Sequence, residues 1–298
     1  MKSLLDRTAL ALFKTVPARA AHHLLFLAQS RPELSDRWGY HIRPVHYYEP
    51  LPDFKSLSPE QINRRHTYPG IDFCWEHQLA LISELTRYRD ELPGLRFDFN
   101  NDYFNGFDAA AYYALVRHLR PQKIVEIGGG YSTQIAQHAL ARNGQGRLTC
   151  IEPYPEQRLI AADLPIELIQ KRVEETPLDF FSSLEANDIL FIDSSHTVKF
   201  GSDVCFEILE VLPRLKPGVW IHVHDIFFPH DYPAEWLLNR RLALNEQYLL
   251  EAFLAFNSAF TPQLANHWIC LDHTDEAERL WPNSTSLHGS SFWMKRVA

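Results

Sequence analysis

The chain lacks the features of a disulfide scaffold, a zinc knuckle and a membrane protein. It has only four cysteines in 298 residues, and no two of them have a CxxC spacing. We therefore expect reduced, mostly buried thiols in a cytoplasmic protein. No apolar stretch approaches the ~18 residues of a membrane span. The cysteines are Cys74, Cys150, Cys205 and Cys270.

An excess of positive charge is also missing. Lys and Arg total 29 against 37 Asp and Glu, which gives a formal net charge of −8. This balance disfavours a nucleic-acid partner, because a phosphate backbone is bound mainly by Lys and Arg. Hydrophobic residues make up 46% of the chain, which is typical of a folded globular protein. We expect a small-molecule partner and no membrane partner, and the sequence leaves homo-oligomer formation open.

The amino-terminal segment contains a short apolar run that superficially resembles a signal peptide. This run, at residues 9–13, precedes Ala18-Arg19-Ala20. Charged side chains at positions 6, 7 and 14 confine it, and it is shorter than the apolar part of a typical signal. An amphipathic helix is the better interpretation.

A change in composition predicts a domain boundary near residue 100. Residues 1–100 are rich in Pro, His, Tyr and Trp and contain helical runs such as 75–89. They predict a helical, aromatic-rich extension that serves as a lid or an oligomerisation region. Tyr103 lies just after it and could cover a bound ligand. Residues 101–298 predict one catalytic domain.

The second region has the pattern of an α/β fold. Short apolar runs rich in Val and Ile alternate with amphipathic segments, which is typical of βαβ units and a parallel sheet. We predict strands at 123–127, 147–151, 166–169, 188–192 and 219–223, and a terminal strand at 291–297. The clearest helices are predicted at 132–142, 202–212 and 245–256.

A strand, a glycine-rich turn and a helix start give the most specific signal. Glu126 lies on the strand, and three glycines follow at 128–130. Small residues let the backbone approach a ligand closely, and the free N–H groups of the helix start can meet an anion. Ser132 or Thr133 can cap that helix. One βα unit later, Glu152 follows the second strand, where a carboxylate can accept hydrogen bonds from two ribose hydroxyls.

These residues resemble the first motif of the class I S-adenosylmethionine-dependent methyltransferases, which matches here at Glu126, Gly128 and Gly130. The resemblance implies a Rossmann-like, seven-stranded sheet that is mostly parallel, with an antiparallel C-terminal strand. It also implies that S-adenosylmethionine is the cofactor. The implied cofactor-binding residues are Glu126 at the methionyl ammonium, Gly128, Gly130 and Ser132 at the turn, Glu152 at the ribose, Val173 and Glu174 at the adenine, Asp193 near the sulfonium, and Tyr103 as a cover.

A narrower resemblance extends over most of the chain. The segments at 191–196 and 221–229, with those at 100–104 and 245–250, look like a bacterial subfamily of class I methyltransferases whose members often lack an assigned substrate. The resemblance implies methylation of an oxygen or nitrogen atom on a small molecule.

Two alternatives use the same glycine turn. A nicotinamide-dependent oxidoreductase would have a third glycine where Thr133 stands, and Glu126 is not part of its fingerprint. A non-catalytic nucleotide-binding protein would be favoured if the ends of the fourth and fifth strands were apolar. They carry acids and histidines instead.

The candidate catalytic residues follow those two strands: Asp193, His196, His224 and Asp225. In one mechanism His196 or His224 is a general base. In the other, Asp193, His224 and Asp225 hold a divalent cation, Mg²⁺ or Mn²⁺, as in the metal-dependent methyltransferases that this site partly resembles. Those enzymes have Asn where Ile226 stands here, so we favour the metal-free base. His222 lies deeper on its strand and is expected to be a hydrogen-bonded core residue.

Overall fold

The computed structural model describes residues 14–104, 106–161, 164–282 and 287–298, apart from the side chains of residues 158 and 161. The chain divides into two compact units, Met1–Ser56 and Leu57–Ala298. The apolar run at 9–13, with the helix predicted for it, lies outside the described residues. No helix in the described ranges is both long and apolar enough to cross a bilayer.

The described part of the first unit contains two helices, α1 (Ala18–Ser30) and α2 (Pro32–Asp36). Helix α1 has no buried residue, although it carries a run of four large apolar side chains at 24–27. Its fold therefore does not depend on a buried apolar face within this unit.

The second unit is built on a seven-stranded sheet. In the described residues the strand order is β3-β2-β1-β4-β5-β7-β6. Strands β1 to β5 pair in parallel, and β7 is antiparallel to both β5 and β6. This confirms the predicted fold class. The strands are β1 (Lys123–Ile127), β2 (Arg147–Ile151), β3 (Glu167–Ile169), β4 (Ile189–Ile192), β5 (Trp220–Val223), β6 (Phe260–Ala265) and β7 (Phe292–Arg296).

Helices connect and cover the strands. The α-helices are α3 (Pro59–Ile62), α4 (Trp75–Leu85), α5 (Gly106–Leu119), α6 (Tyr131–Asn143), α7 (Gln157–Ala161), α8 (Leu178–Ser182), α9 (Asp203–Phe206), α10 (Glu246–Leu254), α11 (Asn266–Asp272) and α12 (Thr274–Leu280). Short 3-10 segments lie at Thr86–Gly94, Val173–Glu175 and Leu212–Arg214, and π turns lie at Glu207–Val211 and Glu235–Asn239.

The core occupies both faces of the sheet. Alternate residues of β1 point to opposite faces, so Ile124 packs with one apolar cluster, and Val125 and Ile127 pack with the other. Helices α5 and α6 cover the first face. Residues 57–100 belong to the second unit, and Leu85 of α4 is fully buried in the first cluster. The predicted role of residues 1–100 as a lid or an oligomerisation region stays a prediction.

The predicted strands agree with the structure within one residue at each end. Strand β6 was not predicted, because Pro262 lies inside it and proline is unusual within a strand. The helix predicted at 202–212 was wrong in type over its second half. It begins as α9 and continues as the π turn Glu207–Val211. The helix predicted at 245–256 is the shorter α10.

Candidate active site

The turn after β1 brings two strand ends together. Gly128 has a φ of +85°, and a Cβ at this position would collide with the backbone carbonyl of Asp193. A Cβ at Gly129 would collide with the sulfur of Cys150. Gly130 is extended and has open space around it, while Thr133 Oγ1 accepts a 3.0 Å hydrogen bond from its N–H. Close packing therefore requires the first two glycines. The predicted cap by Ser132 or Thr133 is wrong, because the helix begins at Tyr131 with Gly130 as its N-cap, and both residues lie inside its first turn.

Glu126 lies beneath this turn and is completely buried. Its Oε1 accepts a 3.1 Å hydrogen bond from the Tyr112 hydroxyl of α5. Its Oε2 has no hydrogen-bond partner in the described part of the chain. Burial raises the pKa of Glu126 to about 8. The site thus holds an acid that a nearby cation would strongly favour in its ionised form.

A cavity of about 390 Å³ opens at the carboxyl ends of β1, β2 and β4. Glu152 lies at its edge, where Oε1 accepts a 2.7 Å hydrogen bond from Tyr154 N–H and Oε2 accepts a 3.4 Å bond from Gly129 N–H. Of the predicted cofactor residues, the lining includes Gly128, Glu152, Val173, Glu174 and Asp193. It does not include Glu126, Gly130, Ser132 or Tyr103. We call this space the donor cavity.

The four predicted catalytic residues form one cluster. His196 Nε2 lies 3.2 Å from Asp193 Oδ1 and 3.6 Å from Asp225 Oδ2. His224 Nδ1 lies 3.5 Å from Asp193 Oδ1 and 3.6 Å from Asp225 Oδ1. His196 and Asp225 both have a φ of 55°, a strained value for residues other than glycine. Two imidazoles and two carboxylates are therefore held together at the ends of β4 and β5.

The imidazoles and carboxylates of the cluster shift one another's pKa values. Burial lowers the pKa of His224, but the carboxylates of Asp225 and Asp193 outweigh it and raise that pKa to about 9. Burial also opposes the shift at His196, yet its carboxylate neighbours hold its pKa well above the usual range. Asp193 has a pKa well below its usual range because the two imidazoles overcome the effect of burial. These shifts favour the charged forms of His196, His224 and Asp193 at neutral pH.

Two further carboxylates join the cluster from outside the predicted set. Glu246 of α10 is fully buried, and its Oε2 lies 2.8 Å from His196 Nδ1. Asp108 of α5 lies with Oδ2 at 4.0 Å from His224 Nε2. In the sequence Glu246 belongs to the segment 245–250, which contributes to the subfamily resemblance but carries no separate sign of a catalytic role. Asp108 gave no signal, because an acid in the first turn of a helix is ordinary.

His222 behaves as predicted for a core residue. It is fully buried, stacks on the Phe191 ring at 3.8 Å, and its Nε2 lies 2.8 Å from Ser291 Oγ. Burial lowers its pKa well below the usual value. His222 is therefore neutral and is separate from the charged cluster.

A second and larger cavity, of about 700 Å³, lies on the other side of the cluster. Its floor is formed by Asp193, His196, His224 and Asp225, and Tyr103 lies in its wall. Asp193 lines both this space and the donor cavity, and 33% of its side chain is exposed. We call the larger space the acceptor cavity. The two cavities meet at one carboxylate.

Within the described residues, no three His, Cys, Asp or Glu side chains are arranged to hold a metal ion. Of the predicted ligands, His224 contacts both Asp193 and Asp225, and His196 Nε2 also lies within 3.6 Å of each carboxylate. All four cysteines are free. Cys150 and Cys270 are buried, whereas Cys74 and Cys205 are partly exposed.

Residues 125–226 match the family model of a methyltransferase domain. The matched segment runs from β1 to the residue after Asp225 and therefore contains both the glycine turn and the four predicted catalytic residues. This match identifies a methyltransferase domain in that part of the chain. It favours the predicted enzyme over the nicotinamide-dependent alternative.

Other proteins resemble this methyltransferase to different extents. An uncharacterized protein of Archaeoglobus fulgidus is 34% identical over 197 residues, which cover 60% of this chain and 88% of that protein. The O-methyltransferase TomG from Streptomyces achromogenes, involved in tomaymycin synthesis and solved with SAM, is 16% identical. The match covers 74% of this chain and 90% of TomG, with a TM-score of 0.41. The SAH-bound methyltransferase PaMTH1 of Podospora anserina is 13% identical, with coverages of 73% and 88% and a TM-score of 0.42.

Proposed function

We propose that this methyltransferase transfers a methyl group from S-adenosylmethionine in the donor cavity to an oxygen or nitrogen atom of a small molecule in the acceptor cavity. The observation that carries the proposal is Asp193, which lines both cavities beside two imidazoles. Methyl transfer needs donor and acceptor in line at short range, and a shared wall provides that arrangement.

The residues of the donor cavity fit the cofactor. Both oxygens of Glu152 face backbone N–H groups and each can accept a further hydrogen bond, which suits two ribose hydroxyls. Val173 is a buried apolar residue at the opposite wall, where an adenine ring would lie. Glu126 does not line the cavity but lies beneath the glycine turn, and its Oε2, which has no hydrogen-bond partner among the described residues, suits the methionyl ammonium through a bridging water. When bound, the cofactor supplies an electrophilic methyl group on a sulfonium.

We assign different roles to the two imidazoles. His196 is surrounded by the carboxylates of Asp193, Asp225 and Glu246, so it stays protonated and fixes their positions. His224 in its neutral form accepts the proton of an acceptor hydroxyl. The acceptor oxygen forms its bond to the methyl carbon as the sulfur–carbon bond breaks and its electron pair stays on sulfur. The proton on His224 then leaves to solvent.

The metal-assisted alternative uses Asp193, His224 and Asp225 as ligands of Mg²⁺ or Mn²⁺. It is tested by measuring turnover after exhaustive chelation and again after adding either cation. Activity that is lost and then restored would reject the metal-free base. Unchanged activity would reject the metal.

Cofactor binding is tested by isothermal titration with S-adenosylmethionine and with its demethylated product. We expect both to bind at micromolar concentrations, and NAD to give no heat under the same conditions. The proposal fails if neither ligand binds, most clearly if NAD binds instead.

A further inference from the structure

One continuous segment builds much of the wall of the acceptor cavity. Residues 233–244 follow β5, and five of them line the cavity: Pro233, Trp236, Arg240, Leu242 and Leu244. The segment closes on itself, because Leu242 N–H donates a 2.9 Å hydrogen bond to the Trp236 carbonyl. We call residues 233–244 the wall segment. Since its backbone is tied in place, its side chains present a fixed surface to the cavity.

Aromatic side chains form part of the cavity lining beside the cluster. The Trp236 and Phe227 rings both line the cavity and pack edge to face at 5.4 Å. Tyr103 lines the same space and is 65% exposed, an unusual degree of exposure for a tyrosine in a cavity wall. Aromatic walls of this kind bind planar rings by stacking and edge contacts.

Arg240 is the positively charged residue of the wall segment that lines the acceptor cavity. Its guanidinium lies 5.6 Å from the centre of the Trp236 ring, and among the described residues it forms no ion pair with a carboxylate. Arg117 and Arg172, by contrast, each pair with a glutamate at 2.9 Å or less. The other acids of the lining, Asp108, Asp193 and Asp225, lie within 4.0 Å of an imidazole of the cluster. Asp102 also lines the cavity, and it is exposed and forms no ion pair with Arg240 among the described residues. A guanidinium without an anionic partner, fixed on an aromatic face, is suited to bind an acidic group of a ligand.

We infer that the acceptor is a hydroxylated aromatic acid. Its ring packs against Trp236 and Phe227, its carboxylate or other acidic group meets Arg240, and its hydroxyl faces His224. This inference rests on the proposed function, because it names the acceptor of the same reaction. A cavity of about 700 Å³ leaves room for more than one ring.

The test compares acids with uncharged analogues of the same shape. The probes are 4-hydroxybenzoate against 4-hydroxybenzamide, and 6-hydroxy-2-naphthoate against 6-hydroxy-2-naphthamide. Binding is measured by titration into the full chain saturated with S-adenosylhomocysteine, and methylated product is measured by mass spectrometry. We expect at least one acid to bind about ten-fold or more tightly than its amide.

Variants of the wall segment identify the group responsible. Arg240→Gln should remove the preference for the acid, and Arg240→Lys should keep part of it. Arg241→Gln is the matched control: it removes the same charge from the next residue, which does not line the cavity. Trp236→Ala should weaken acid and amide equally, since it removes the ring contact. Melting curves of all four variants verify that they fold.

Equal affinities for acid and amide in the wild-type chain would overturn the inference. So would a preference that survives in Arg240→Gln, or the absence of binding by every aromatic probe. Binding of S-adenosylhomocysteine is measured first, and its absence would count against the proposed function instead. In that case the acid and amide are compared on the protein without S-adenosylhomocysteine, so that the preference for the acid is still tested.

Discussion

The donor and acceptor cavities are built in different ways. The donor cavity is formed mainly by residues that directly follow β1, β2 and β4, so its parts are close to strand ends in the sequence. The acceptor cavity combines α5, the ends of β4 and β5, the wall segment and residues 288–290. The first is therefore a local consequence of the βα turns, whereas the second depends on the packing of distant segments. A fold of this kind can keep its donor chemistry while its acceptor changes.

The largest expected effect on the reaction rate follows from replacing His224, the proposed general base in the acceptor cavity. His224→Gln should lower kcat by about 10²–10⁴-fold, because the acceptor proton then has no positioned acceptor. Affinity for S-adenosylmethionine should stay within a few-fold, since His224 does not line the donor cavity. The measurements are single-turnover rates and isothermal titration.

His230→Gln is the control for this prediction, because His230 lines neither cavity. The pH profile gives a second check. With a His224 pKa of about 9, the wild-type rate should rise with pH up to about 9 as the imidazole loses its proton. A rate that is flat between pH 7 and 9, or a fully active His224→Gln, would contradict the assigned base.

The donor side was largely predictable from the sequence. The glycine turn, Glu126 and Glu152 lie at strand ends that the apolar pattern placed within one residue. The acceptor side was predictable only where it also follows strands, at Asp193, His196, His224 and Asp225. Sequence patterns did not reveal how α5 and α10 approach the cluster, because an acid near a helix start is usually solvated. Tertiary packing alone buries such acids beside the imidazoles.

The next effect, on the donor side, concerns stability. The pKa of Glu126 is about 8 in the folded chain, against an ordinary value of 4.5 when unfolded. Because the folded chain favours protonated Glu126, this residue stabilises the fold relative to its ionised form. That contribution to the unfolding free energy is complete below about pH 4.5 and is lost as the pH rises through 8. Glu126→Gln removes this titration. We expect the variant to exceed the wild type in unfolding free energy by roughly 4 kcal/mol at pH 8, and to match it near pH 4.5.

Denaturant unfolding of both proteins at several pH values measures that difference. Bound S-adenosylmethionine should reduce it, because a cation near Glu126 favours the ionised form of the wild type. A stability difference that does not change with pH would show that Glu126 ionises normally.

Loss of the ribose contact should have a somewhat smaller effect. Glu152→Ala removes charge-assisted hydrogen bonds worth roughly 1.5–3 kcal/mol and should weaken cofactor binding about ten-fold to a hundred-fold. Isothermal titration measures the affinity. Val173→Ala is a useful comparison, because it changes the adenine wall without touching the carboxylate. An unchanged affinity in Glu152→Ala, with an unchanged melting curve, would show that Glu152 does not hold the ribose.

The smallest predicted effect concerns the residue that positions His196. Glu246 fixes the orientation of the ring through Nδ1, which leaves Nε2 directed at Asp193 and Asp225. Glu246→Gln keeps the shape but replaces a charge-assisted contact by a neutral one, so kcat should fall about ten-fold with little change in KM.

Glu207→Gln provides the matched control for Glu246→Gln. Glu207 is also fully buried, and its Oε2 accepts a 2.9 Å hydrogen bond from Ser194 Oγ. It feels the charge of His196, but among the described residues no hydrogen bond or ion pair joins the two. A role limited to packing predicts the same loss in both variants. If Glu246 positions His196, kcat falls in Glu246→Gln but not in Glu207→Gln. The pKa of His196, measured by NMR titration, should also be lower in Glu246→Gln because the imidazole has lost its anionic partner. Helix α10, which carries Glu246, directly follows the wall segment in the sequence. A loss of kcat in Glu246→Gln alone would therefore show that one continuous stretch of chain both lines the acceptor cavity and positions His196.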